Sequence, residues 1–147
     1  MFEKTLLSNL IYNEDFTRKT LPFIKPDFFR NRDEVTLFNI INAFVVKYNN
    51  LPTKEAIEIE LSNNKTLTED EYKNTKSLLN SLQHEEVEQQ WLLDTTEKFC
   101  KDRAVYNAVL QGIKIIDGKD KKHTPEAIPS ILSEALGVSF DRHIGHD

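Results

Sequence analysis

The sequence predicts an all-α protein, a compact helical head followed by a long helical hairpin. Three observations predict it. Apolar residues recur three and four positions apart along most of the chain, the pattern of one helix face. Four glycines and five prolines in 147 residues are few for an all-β chain, where turns recur every few residues. Between Glu85 and Asp117 there is no proline and a single glycine, Gly112, which suits one helix of ~30 residues against a usual ~11–12.

Leu6, Leu7, Leu10 and Ile11 sit at helical spacing and predict a short amphipathic helix ending near Asn13. A second short helix is expected from Glu14 to Thr20. The run Leu21-Pro22-Phe23-Ile24-Lys25-Pro26 breaks the pattern, because each proline biases the residue before it away from helix. Phe23, Phe28 and Phe29 are expected to pin that loop to the core. From Arg32 to Tyr48 the series Val35, Leu37, Phe38, Ile41, Phe44, Val45, Tyr48 predicts a strong helix, ended by Asn49-Asn50-Leu51-Pro52. Thr53 can cap the next helix, which carries Ala56, Ile57 and Leu61 and stops in the polar run Ser62-Asn63-Asn64-Lys65. Thr68-Glu69-Asp70-Glu71 reads as a capping box and opens a helix through Tyr72, Leu78, Leu79 and Leu82.

The long helix has two apolar faces. Val87, Trp91, Thr95, Phe99, Tyr106, Val109, Ile113 and Ile116 make one of large side chains. Leu93, Cys100, Ala104, Ala108 and Ile115 make a second, dominated by small ones. A helix that is apolar on two sides needs two neighbours. After the turn Gly118-Lys119-Asp120-Lys121-Lys122-His123, Thr124-Pro125-Glu126 starts a final helix, a start that Pro129 blurs by a few residues, whose apolar face is Ile128, Ile131, Leu132, Ala135 and Leu136. The resulting organisation is a head over residues 1–84, a hairpin over 85–137 within the same domain, and a polar tail over 138–147. That tail, with nothing expected to pack against it, reads as the start of a linker. Sequence does not say which hairpin face is intermolecular, but a two-helix hairpin is too thin to bury both, so self-association is expected.

Composition narrows the function. The net charge of −5 argues against a freestanding duplex-DNA binder, which carries a basic footprint. One cysteine, Cys100, excludes an internal disulfide and a cysteine metal cluster, and a reducing, cytoplasmic setting is expected. No signal peptide and no run of ~18 apolar residues is present, so no membrane partner is expected. There is no phosphate-binding glycine loop, no His-Glu-x-x-His and no nucleophile beside an orienting acid, so no catalytic, cofactor-binding or metal residue is assigned. His143 and His146, with Asp141 and Asp147, have ligand chemistry but read as solvated linker residues. Glu85, Glu86 and Glu88 read as the first turn of the long helix, where carboxylates offset the dipole. Lys119, Lys121 and Lys122 read as a solvated turn, and Cys100 as a packed small residue.

These residues also carry a resemblance. The closing run Ala127-Ile128-Pro129, Ala135-Leu136, Ser139-Phe140-Asp141 and Gly145-His146-Asp147 resembles the amino-terminal domain of DnaB-like replicative DNA helicases of T-even-type phages. Trp91-Leu92, Thr96-Glu97-Lys98-Phe99, Arg103-Ala104, Leu7-Ser8 and Leu10-Ile11 resemble it too, so the likeness extends over essentially the whole chain. The resemblance implies a head-and-hairpin domain whose copies pair through their hairpins into the collar of a hexameric ring, as a trimer of dimers. It implies engagement of primase and a helicase loader, and single-stranded DNA bound by the full-length ring. ATP and Mg²⁺ would belong to an absent RecA-like motor. The expected subunit interface is Leu93, Phe99, Cys100, Ala104, Tyr106, Ala108, Val109, Ile113, Ile115 and Ile116 on the long helix, with Ile128, Ile131 and Leu132 on the final one. Ser139, Phe140, Asp141, Gly145, His146 and Asp147 would belong to the linker. The alternative is a helix-turn-helix-like nucleic-acid reader, but Arg30 and Arg32 are followed at once by Asp33 and Glu34.

Overall fold

The computed structural model describes residues 1–140. Among them lie seven α-helices and no strand: α1 (Phe2–Tyr12), α2 (Glu14–Thr20), α3 (Arg32–Tyr48), α4 (Lys54–Ser62), α5 (Glu69–Ser81), α6 (Gln89–Ile116) and α7 (Ile128–Leu136). The all-α expectation is borne out. No helix among the described residues is long and apolar enough to cross a membrane. The chain divides into two compact units, Met1–Gln89 and a second beginning at Gln90.

The first unit is built around α3, which packs on α1, α4 and α5. Its core is fully buried: Leu6, Leu7 and Leu10 of α1, Phe16 of α2, Leu37, Phe38 and Ile41 of α3, Ile57 and Leu61 of α4, and Leu79 of α5. Helix starts are set by side-chain chemistry. The Asn13 Oδ1 accepts from the Phe16 amide at 3.2 Å, and the Thr53 Oγ1 accepts from the Ala56 amide at 3.0 Å. Thr68 and Glu71 exchange the two bonds of a capping box, at 3.1 and 3.0 Å. The α3 helix ends on Asn49 in the left-handed region (φ 56°), a conformation asparagine tolerates better than most residues. Arg18 fixes that end, donating to the Asn49 Oδ1 and carbonyl, each at 2.9 Å. Between α2 and α3 the two prolines shape 3₁₀ turns, Leu21–Phe23 and Pro26–Phe28. Ile24, Phe28 and Phe29 are buried there, and the Phe29 and Phe38 rings lie 5.3 Å apart.

The second unit holds α6 from Gln90 on, its turn and α7. The α6 helix has 28 residues and spans ~42 Å. It begins at Gln89 rather than Glu85, so Glu85, Glu86 and Glu88 lie in a non-helical connector and form no first turn. Absence of glycine and proline permits a helix but does not nucleate one. In a helix Glu85 and Glu88 would also repel each other at i,i+3 spacing. The helix closes with Gly118 at φ 75°, where the Lys119 amide reaches back to the Lys114 carbonyl at 2.9 Å. In the turn, the Asp120 Oδ1 accepts from the Lys122 and His123 amides. The Lys122 amide, followed by the His123 and Gln111 side chains, holds this carboxyl below the ordinary aspartate range. A lowered carboxyl stabilises the turn at neutral pH and ceases to do so as acid protonates it.

The final helix starts later than the sequence suggests. Pro125–Ala127 is a 3₁₀ turn, and α7 begins at Ile128. The cause is Pro129, whose missing N–H cannot serve the Pro125 carbonyl, so the Ile128 amide takes it in a tighter bond. The α7 helix then returns along α6. A Cβ placed on Gly112 would stand 3.7 Å from the Ile128 Cγ2, and the Phe140 amide donates to the Glu97 Oε2 at 2.8 Å. Phe140 is buried, so the packed chain runs on through it, and the unpacked tail expected from Val138 onward does not begin there. The spacing at Gly112 is ordinary contact, so its small size is not required. Gly112→Ala is expected to stabilise the chain by ~0.5–1 kcal/mol through helix propensity, read as a higher Tm.

Candidate interaction surface on the long helix

The α6 helix sorts its apolar residues by size. Ala108, Gly112 and Ile115 are buried, and the Gly112 position faces Ile128 of α7. The opposite side stays open. Tyr106 (46% exposed), Val109 (46%), Leu110 (41%), Ile113 (49%) and Ile116 (70%) all remain accessible. Tyr106, Val109, Leu110 and Ile113 stand at i, i+3, i+4 and i+7, so they form one continuous stripe. From Ala104 to Ile113 the chain carries no charge at all. An uncharged, aromatic-bearing apolar stripe is what the centre of a protein interface looks like, and it exceeds the scattered single residues normal on a monomer. At one end the Arg103 guanidinium lies 4.7 Å from the Phe99 ring centroid, and Lys98 pairs with Asp102 at 2.9 Å. Charged groups thus border the stripe rather than interrupt it.

The interface residues expected from sequence separate into three environments. Tyr106, Val109, Ile113 and Ile116 lie on the open stripe. Cys100, Ala108 and Ile115 are already buried within one chain. Leu93, Phe99, Ala104, Ile128, Ile131 and Leu132 are half-buried. Leu110 was missed, although its place four residues after Tyr106 and three before Ile113 was visible in the sequence. Of the linker set, Ser139 is half-buried and Phe140 buried. Asp141, Gly145, His146 and Asp147 lie outside the described residues, as does His143.

No group of three or more His, Cys, Asp or Glu that could hold a metal occurs among the described residues. Burial, with Glu97 nearby, pushes the Cys100 thiol up to about 12. Thiolate is the reactive form, so Cys100 is expected to react with a disulfide reagent at pH 8 at least ~100-fold more slowly in the native chain than in urea. Equal rates in both states would show that the thiol is open to solvent.

No protein-family model matches the chain. The chain is similar to a DnaB-like replicative helicase of Enterobacteria phage T4, with 32% identity over 97% of its own length. It spans 31% of that relative's length, about a third. The resemblance read from the sequence is thereby borne out, and the similarity extends over about a third of that helicase.

Proposed function

We propose that this chain is the assembly and docking part of a DnaB-like replicative DNA helicase. Copies associate through the open stripe of α6, first as dimers and, in the complete ring, as a trimer of dimers forming a collar. Primase and a helicase loader are recruited by the collar in the cytoplasm. ATP, Mg²⁺ and translocation along single-stranded DNA belong to the motor part of such a helicase. The observation that supports this most is the uncharged stripe from Tyr106 to Ile113, left uncovered in a chain that is similar to a replicative helicase over nearly all its length.

On this reading the chain performs no chemistry. Its contribution is apolar area withdrawn from water between copies, at ~25 cal/mol per Å². Sedimentation velocity over a wide concentration range tests it, with a monomer-to-dimer or higher transition expected. A species that stays monomeric at millimolar chain would overturn the assembly role. ATP hydrolysis by the chain alone would overturn the division of labour.

A further inference from the structure

The open face of α6 continues past the stripe toward the start of the helix. Trp91 is 50% exposed and lies eighteen residues before Val109, about five turns, so it stands on the same face. Half-buried Thr95 and Phe99 fill the turns that follow it. Beyond the two ends of the helix the charge is of opposite sign. The connector before it, residues 82–88, carries Glu85, Glu86 and Glu88 and no lysine or arginine. The turn after it carries Lys119, Lys121 and Lys122, and Asp120 within that turn is taken up by the Lys122 and His123 amides. Glu85, Glu86 and the three lysines are exposed, and among the described residues none of these side chains has an ion pair.

A rod that is acidic at one end, basic at the other and apolar between is complementary to its own copy reversed. Parallel copies would set Glu86 on Glu86 and Lys119 on Lys119, and like charges repel. Antiparallel copies centred on the stripe, between Val109 and Leu110, would oppose Lys98 to Lys121 and Asp102 to Asp117. Antiparallel copies centred on the helix midpoint, between Asp102 and Arg103, remove both conflicts. Asp102 then meets Arg103 of the second copy, Phe99 meets its Tyr106, and Trp91 falls opposite the stretch from Ile113 to Ile116. Glu86 and Lys119, each three residues beyond an end of α6, come together at both ends of the pair.

Resting on the assembly reading above, we propose that a second copy lies antiparallel on this face in the midpoint register, each copy's connector carboxylates docked on the other's hairpin turn. The apolar centre supplies the affinity. The end charges select direction and register, as charge complementarity does at interfaces generally. Screening acts over ~8 Å at physiological salt, so the ends contribute only where they touch.

Cross-linking and charge reversal test this on the complete chain. Glu86→Cys and Lys119→Cys chains are oxidised separately and as a mixture, and covalent dimer is read on a non-reducing gel. Dimer is expected from the mixture and from neither variant alone, because each position faces the other; the buried Cys100 is common to all three samples. Sedimentation then gives the dissociation constant after charge reversal. Lys119→Glu with Lys121→Glu, or Glu85→Lys with Glu86→Lys, is expected to weaken association about tenfold, and all four changes in one chain to restore it. These positions are exposed, so circular dichroism of the variants is expected to match the parent. A mixture without covalent dimer, dimer from either cysteine variant alone, or association indifferent to charge reversal would overturn the proposal and leave the assembly reading standing. A parent chain that stays monomeric would overturn both.

Discussion

Replacing Val109 and Ile113 with Asp in one chain is expected to abolish self-association while leaving the helical signal intact. Both side chains are about half-exposed, so neither substitution opens a cavity in the single chain. In a two-fold pair each change occurs twice, which sets four carboxylates into an apolar seam. A buried, unpaired charge is costly, and the loss of affinity is expected to reach at least ~1,000-fold. Sedimentation of the variant beside the parent reads the result directly. A variant that still associates with parental affinity would move the interface off this stripe.

The second large effect falls in the first unit. Phe38→Ala removes a fully buried ring that packs 5.3 Å from Phe29. Truncations of this kind cost ~3–5 kcal/mol, against a total stability of ~5–15 kcal/mol for a domain. Thermal unfolding is expected on the order of 10 °C lower, read by circular dichroism against the parent. Phe23→Ala, at a half-buried position of the same loop region, is the natural control and is expected to cost much less.

What the sequence made legible follows the range of the forces involved. The caps at Thr53 and Thr68 were readable because a hydroxyl or carboxylate serves an amide only two or three residues away. The helix α2 was readable to its end residues for the same reason, lying between a capping Asn13 and the proline-containing run. The start of α6 was not, because nothing within a turn of Glu85 commits the backbone, and a composition without proline permits a helix without starting one. The delayed start of α7 was half visible, since Pro129 was present but its effect depends on which carbonyl it leaves unserved.

The surface was legible in its parts and not in its assignment. Both faces of α6 were identified from spacing, yet which one stays open is decided by where the chain comes back. That is a contact between Gly112 and Ile128, sixteen residues apart, and neither residue signals it alone. An open groove beside α3 was invisible because Phe44 and Tyr48 continue the apolar series of a core-facing helix. Only the tertiary arrangement leaves Tyr48 half in solvent and lines the same groove with Lys47, Glu60 and three asparagines.

The return path of the second unit also orders its assembly in time. The Gly112–Ile128 contact closes a short loop, and the Phe140–Glu97 bond, 43 residues apart, encloses it in a longer one. Closing the outer loop without the inner costs about 0.9 kcal/mol more chain entropy than closing the inner loop first. The unit is therefore expected to close from its turn outward and to open from Phe140 inward. In hydrogen exchange the Phe140 amide is expected to give way before those deep in α6, with release of its Glu97 bond as the first step of opening.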